Sequence, residues 1–311
     1  NNIGDTLNYF DNFGFLFELE EDKFLSINYE DIKRIIERLK AVVLLMSALS
    51  GKKDIRKILE LTTYLLYSEP IEIQRDSFEY YSNKYYFTEK VRSYSVMPDC
   101  SRCISSDRCL HIKDSITKRE ETIHYEDVKA VDDGENLKGI VGSKDDLFKH
   151  LFALYTNCPI QDSFQRTIID FFYHYQTEVG VFDSIELDNI TYYDNTVKTE
   201  IPDYLKETLL KIAKQVVSQE VNTNISKVTP AFDIDSLSHS WKINDFLTAL
   251  YFSVFYMKPN VELYKECENP RCKHQKYFLI STTATNKKYC CDACANAVAQ
   301  QRSRLRKMNK S

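Results

Sequence analysis

The sequence predicts an α+β protein: a mostly helical body with a small β-rich middle region over residues 1–260, then a small module over residues 261–311. Three observations predict it. Apolar residues recur at helical spacing in several segments on both sides of the middle region. From Ile71 to Val131 that spacing gives way to short runs of Tyr, Phe, Ile and Thr between polar residues, which read as strands with irregular connections. Between Cys267 and Cys294 the chain carries two close pairs of cysteines. The low content of 7 Gly and 7 Pro in 311 residues also argues against a loop-rich all-β fold.

Residues 1–27 are aromatic and acidic, with Phe10, Phe13, Phe15 and Phe17 near an alternating spacing that reads as a short strand or hairpin. Asn28 is the N-cap of the first helix, with Glu30 and Asp31 in its first turn. Ile32, Ile35, Ile36, Leu39, Val42, Val43 and Met46 follow helical spacing, and Gly51 ends the run. A second helix spans about Asp54 to Tyr67, with Ile55, Ile58, Leu59, Leu61 and Leu65 inward, and Pro70 stops it.

After the β-rich stretch, Asp132 to Asn136 reads as a turn or exposed loop. Ser143 and Asp146 resemble a capping box, which opens a helix over Leu147–Thr156. Pro159 starts another, about Gln161 to Tyr175. Phe182 to Pro202 is polar and reads as loop with a strand. Pro202 at the first helical position begins a helix to about Glu220, and Asn222 to Ser240 reads as loop. Ser240 caps the last body helix, whose apolar face is Ile243, Phe246, Leu247, Leu250, Val254 and Met257. Phe252, Phe255 and Tyr256 add apolar surface, so this helix is expected to be buried nearly all round. Pro259 ends it, and so short a connection implies that the module packs on the body.

Hydrophobic content of 43% and charge of 28% are those of an ordinary globular protein. The longest apolar run, Ala41 to Met46, is far short of a membrane span, so no membrane partner is expected. With no signal-peptide pattern in view, the expected setting is cytoplasmic, where nine cysteines point to metal rather than disulfides.

Cys267-x4-Cys272 and Cys290-x3-Cys294 are two thiolate knuckles suited to one tetrahedral Zn2+. Pro270 favours the first turn by fixing its own backbone angle. Lys276 to Ile280 reads as a strand, Ser281 to Asn286 as a turn, and Ala293 to about Met308 as a helix free of Gly and Pro. Cys291 in place of Cys290 gives a second way to build the second knuckle. Four thiolates leave no open coordination position, so this zinc is structural, and a module of this size owes its folding to it.

The order knuckle, hairpin, second knuckle, helix resembles a treble-clef finger. At Cys267-x-Asn269-Pro270-x-Cys272, Phe278, Tyr289-Cys290 and the Arg-rich helix, the chain resembles the CGNR-type zinc finger of bacterial proteins. That finger is usually the C-terminal module of proteins classed as stress-induced transcription regulators. The resemblance spans about residues 263–308, one sixth of the chain, and implies zinc, with Cys290 rather than Cys291 as the third ligand. At the four residues that give the family its name, this chain has Cys294-Ala295-Asn296-Ala297, so only Cys and Asn agree.

Charge is unevenly placed. Tyr264 to Ser311 holds 11 Lys+Arg and 3 Asp+Glu, a net of +8, against 30 basic and 43 acidic residues elsewhere, a net of −13. That asymmetry is a nucleic-acid cue. The last helix carries Arg302, Arg304, Arg306, Lys307 and Lys310 around a thin apolar stripe of Ala295, Val298 and Leu305, and so can meet phosphates from several sides. Lys273, Lys276, Lys287 and Lys288 extend the patch. Asn296 is a candidate base reader, with a structural bond to the knuckle backbone as the competing role. The competing readings of the whole run are a tail docked on its own acidic body and a frayed, solvated end.

A second candidate metal set is Cys100-x2-Cys103-x5-Cys109-x-His111, four possible ligands within a dozen residues, against isolated cysteines in a loop. No catalytic residue is assigned. Gly134-x4-Gly139 is followed by Ile140-Val141 and is no phosphate loop, H-E-x-x-H is absent, and His150 and His174 read as half-buried structural residues. The leading expectation is a zinc-finger nucleic-acid-binding protein, with DNA favoured over RNA. The resemblance makes it a bacterial transcription regulator, its body binding a small molecule or a protein. The rivals are a structural or protein-interaction zinc module, and a nucleic-acid-processing enzyme with an active site in the body. The last requires a pocket gathering acids or histidines.

Overall fold

The computed structural model describes residues 4, 15–17, 27–50, 53–75, 78–93, 109–124, 146–156, 162–193, 200–234, 237–256, 262–273, 277–281 and 286–308. Helix α1 (Tyr29–Ser50) begins as its cap predicts: Asn28 Oδ1 accepts a hydrogen bond from Glu30 N at 3.1 Å, and Glu30 and Asp31 sit at the positive end of the dipole. Helix α2 (Ile55–Tyr67) is capped by Asp54, whose Oδ1 accepts from Lys57 N at 3.1 Å, and it ends at Ser68, before Pro70. Then follow β1 (Glu72–Arg75), β2 (Phe78–Tyr81), α3 (Tyr86–Ser93), β3 (Cys109–Lys113) and β4 (Glu120–His124). Helix α4 (Asp146–Thr156), α5 (Ser163–Glu178), β5 (Phe182–Glu186), β6 (Asn189–Tyr192) and α6 (Asp203–Ile225) come next. The chain continues through β7 (Thr229–Asp233), β8 (Ser238–Lys242), α7 (Phe246–Tyr256), β9 (Glu262–Glu266), β10 (Tyr277–Ser281) and α8 (Asp292–Met308).

The architecture is α+β. Among the described residues the strands form five separate antiparallel hairpins and no larger sheet. A lone two-stranded ribbon is marginal in water, so the hairpins depend on helices for support; β5, for example, lies against α2. Helix α6 is the centre of the body and touches α1, α2, α5 and α7. Its Leu205, Leu209, Ile212, Ala213 and Val216 are buried. Contact with four neighbours explains why it buries so much surface without one clean apolar stripe. A second focus is aromatic: Tyr67 of α2 meets the rings of Phe87 and Phe172 edge-on at 5.0 and 5.1 Å, a favoured geometry for ring pairs.

One ion pair crosses this core. Arg38 of α1 grips Glu220 of α6 with two bonds, Nη2 to Oε1 at 2.6 Å and Nε to Oε2 at 2.9 Å, both side chains fully buried. Tyr85 Oη donates to the same carboxylate at 2.8 Å, and Arg38 Nη2 also donates to the Asn83 carbonyl at 3.1 Å. Burying two charges is costly, and the bidentate geometry with these extra bonds is what makes it tolerable.

Several expectations are corrected. The strand expected within Phe182–Pro202 is there as the β5–β6 hairpin, but the supposed loop from Asn222 to Ser240 is the end of α6 plus a further hairpin, β7–β8. The β-rich stretch itself contains a helix, α3, which buries Phe87, Thr88 and Val91. Helix α5 starts at Ser163, not near Gln161, because Asp162 Oδ1 accepts from Phe164 N and Gln165 N at 2.9 and 2.8 Å. Pro202 is the residue before α6 rather than its first position, and α6 runs past Glu220 to Ile225. Ser240 lies in β8 and caps nothing; Asp245 caps α7, accepting from Thr248 N at 2.7 Å, so Ile243 falls outside the helix. Nor is α7 buried all round: Phe255 and Tyr256 are each 54% exposed. The strand expected around Phe10 and Phe13, Gly51, the Asp132 turn, Ser143 and Pro259 lie outside the described residues. No helix among the described residues is long and apolar enough to cross a membrane.

Candidate metal centre

The pairing of β9 with β10 runs from Glu262 opposite Ser281 to Glu266 opposite Tyr277. The first knuckle is therefore the connection of this hairpin. The sequence order, with the hairpin after the first knuckle, is corrected here: its strands flank the knuckle. Within the connection, Asn269 turns the chain. Its Oδ1 accepts from Arg271 N at 3.1 Å, and its carbonyl accepts from Cys272 N at 3.0 Å. The second pair sits at the start of α8, with Cys290 just before it and Cys294 in its first turn. The two halves are tied by Glu268 N donating to the Lys288 carbonyl at 2.9 Å and by the Lys288–Glu268 ion pair at 3.3 Å.

These elements bring Cys267, Cys272, Cys290 and Cys294 together, with all four sulfurs within 4.8 Å of one another. Cys272 to Cys290 is 3.7 Å, Cys290 to Cys294 is 3.6 Å and Cys294 to Cys272 is 3.6 Å. None forms a disulfide. A tetrahedral ion with metal–sulfur bonds near 2.3 Å spaces its ligands about 3.8 Å apart, so these are ligand spacings. The set can hold a metal ion. Cys291 Sγ lies 3.7 Å from Cys290 but belongs to no four-ligand group.

The Asn269 side chain favours the Cys294 thiolate, but burial and the facing sulfurs of Cys272, Cys290 and Cys267 push the Cys294 thiol up to about 12. Asn269 is itself buried. Sequence reasoning quoted it as part of the motif but gave the bracing role to Asn296, which is exposed on α8. Phe278 and Ile280 of β10 back the cluster, and the Lys287 ammonium lies 5.6 Å from the Phe278 ring centre.

Of the residues expected to meet nucleic acid, Arg302 and Arg304 are exposed on α8, as are Lys287, Lys288 and Lys273 on the connections around the sulfurs. Arg306 and Lys307 continue the helix backbone, and Lys310 lies outside the described residues.

The second candidate set is not assembled among the described residues. Cys100 and Cys103 lie outside them. Cys109 is buried and its sulfur faces His124 Nδ1 at 3.1 Å, whereas exposed His111 faces Thr122 at 3.4 Å and Glu120 at 3.6 Å.

A different group does converge, in the body. Asp114, Glu121 and His174 place one carboxylate oxygen each and a ring nitrogen within 4.8 Å. The β3–β4 hairpin supplies Glu121 and, at the end of β3, Asp114; α5 supplies His174. Burial disfavours the charge on both partners of the central pair. The hydrogen bond between them overrides it, holding the Asp114 carboxyl well below the usual range and raising His174. Sequence reasoning read His174 as structural. Nothing local signals the group, because Asp114 and His174 are 60 residues apart.

No family model, no curated protein and no solved structure matches the chain.

Proposed function

We propose that the chain is a zinc-finger nucleic-acid-binding protein of the CGNR type, a bacterial transcription regulator acting on DNA. The observation that carries this reading is the exposure of Arg302 and Arg304 on a helix whose first turn supplies a sulfur to a metal-sized tetrahedron. Zinc is the ion of choice for four thiolates at that spacing. It rigidifies the base of α8, so that the basic side chains meet phosphates from a fixed platform rather than a frayed end. Lys287, Lys288 and Lys273 widen the positive surface around the same sulfurs. Arginine pairs with phosphate oxygens through a planar fork, and each neutralised phosphate releases counterions. In the body, a cavity of about 390 Å3 lined by Arg34, Arg38, Tyr64, Tyr67, Phe182 and Ile185 has the size of a small-ligand site, the place for an effector.

The test is a gel-shift salt titration with duplex DNA, using the full chain and a triple Arg302→Ala, Arg304→Ala, Arg306→Ala variant. The expected result is salt-dependent binding whose log–log slope falls by about 2–3 in the variant. Absence of binding, or a variant slope equal to wild type, overturns the reading in favour of a structural zinc module. One observation favours the enzyme reading as an alternative: Asp114, Glu121 and His174 are the gathering of acids and histidine that it requires. Cleavage of labelled DNA or RNA with added Mn2+, abolished by Glu121→Gln, would support it.

A further inference from the structure

We propose that Asp114, Glu121 and His174 hold a first-row divalent metal ion in the body, at a site separate from the four cysteines and different in chemistry. The case rests on how each of the three side chains is held. Each of the three points one donor atom inward and has its other donor atom faced from behind; the inward Asp114 Oδ2 also accepts from Tyr155 Oη at 3.2 Å, a bond that a metal ion would replace.

His174 Nε2 lies 2.6 Å from Asp114 Oδ2 and 3.9 Å from Glu121 Oε1, and these three atoms face one another. Behind His174, Nδ1 faces Glu178 Oε1 at 3.5 Å, and Tyr204 Oη donates to that same oxygen. Behind Asp114, Oδ1 accepts from Ile116 N at 2.8 Å and Thr117 N at 2.7 Å. Behind Glu121, Oε2 accepts from Tyr155 Oη at 2.7 Å. Tyr155 is fixed in turn by stacking on Tyr173, ring centres 3.7 Å apart. A carboxylate behind a ligating imidazole and hydrogen bonds behind ligating carboxylates are the usual outer shell of a metal site.

Charge points the same way. Asp114, Glu121 and Glu178 face one imidazole, so two negative charges remain even when the ring is protonated. The nearby guanidinium of Arg166 is taken by Asp170 at 2.7 Å. A dication offsets the surplus where a proton cannot. Asp114 and His174 are buried, whereas the side chains of Glu121 and Glu178 are 32% and 39% exposed, so the group opens to solvent on one side. An ion can enter there.

Metal–ligand bonds of about 2.0–2.2 Å set neighbouring donors roughly 3–3.5 Å apart. The 2.6 Å hydrogen bond must therefore lengthen and the 3.9 Å gap shorten, each by about half an ångström or a little more. Glu121, 32% exposed, can close the 3.9 Å gap, whereas lengthening the 2.6 Å contact requires the buried Asp114 and His174 side chains to part. One imidazole with two carboxylates suits Mn2+, Fe2+ or Zn2+ better than Ca2+ or Mg2+, which take oxygen. Three protein donors leave coordination positions for water or a substrate oxygen, unlike the closed cysteine set.

This inference does not rest on nucleic-acid binding, and its test is independent of it. The full chain, loaded with a single equivalent of Zn2+ for its cysteine site, is titrated with Mn2+ while free Mn2+ is followed by electron paramagnetic resonance. The expected result is one Mn2+ bound per chain. Glu178→Gln, which alters only the support behind the ring, should weaken it about 10- to 100-fold, and Glu121→Gln should weaken it at least as much. Arg302→Ala should leave it unchanged. Wild-type binding no tighter than that of the Glu121→Gln chain, or indifference to both Gln variants with circular dichroism unaltered, overturns the proposal.

Discussion

The core around α6 and the cysteine cluster near the C-terminal end of the chain are built in opposite ways. The body surrounds α6 with fully buried apolar side chains, among them Ile58, Leu65, Phe171, Phe172, Leu209 and Ile212. The module's core cluster is Cys267, Phe278, Ile280 and Cys294, and two of those four are sulfurs. Burying Phe278 and Ile280 supplies about 1.5–3 kcal/mol each. Ordering each residue of backbone costs about 1–2 kcal/mol, so these two side chains by themselves do not offset the ordering of this region. The difference teaches that stability is spread over many contacts in one region and concentrated in four atoms in the other.

The sharpest way to break this comparison is to deny the four cysteines any metal they can hold. Stripping it with a chelator, or Cys272→Ser, should forfeit binding energy on the order of 10 kcal/mol. Hydrogen exchange at the β10 and α8 amides should then rise to unfolded rates while α6 stays protected. Persistent protection of β10 without metal would mean that the module has a sufficient core of its own.

The next test lies in the body. Glu220→Gln leaves Arg38 buried without its counter-charge and should cost about 3–5 kcal/mol in urea unfolding. A loss below about 1 kcal/mol, the value of an exposed pair, would show that the body tolerates point damage even at its centre.

The smallest expected effect is at the rim. Asp188 turns the β5–β6 hairpin at φ 71° and binds Lys57 at 2.8 Å and Lys40 at 3.4 Å. Burial opposes its charge, but the Lys57 hydrogen bond and the Lys40 and Lys57 charges prevail, and the pKa is lowered. A depressed carboxylate stabilises the fold above its unfolded value, and that contribution fades as pH falls through the folded value. Asp188→Asn keeps the left-handed turn accessible, since Asn also adopts it. It should lose up to about 1 kcal/mol at pH 7, given partial exposure, and nothing once the pH has fallen below the lowered folded value of Asp188. Urea midpoints at the two pH values decide it. A difference that persists in acid would assign the effect to the turn and not to charge.

How much of this was legible in the sequence follows the same division. Asn28 announced its helix because capping is local chemistry. The four cysteines were legible for the same reason, each pair lying within one turn of chain. The β7–β8 hairpin escaped because β8 is exposed along nearly all of its length, so no alternation of apolar and polar residues marks it. Helix α3 escaped because Tyr86-Phe87-Thr88 favours strands in isolation, and burial of Phe87 and Val91 overrides that preference. Ser240 misled because it precedes an apolar run, whereas the pairing of Trp241 with Pro230 holds that segment extended. The Asp114, Glu121 and His174 group exists only once the β3–β4 hairpin packs on α5, which no window of sequence contains.

The grip of Arg38 on Glu220 joins residues 182 apart in the chain. At roughly 5–20 residues per second of synthesis, the arginine emerges about 10–40 s before its partner is made. During that interval α1 leaves the ribosome with a cation on the face meant for the interior. Until α6 is made that cation has no Glu220 to pair with, so the Arg38 side chain cannot reach its final bonded arrangement before residue 220 is made.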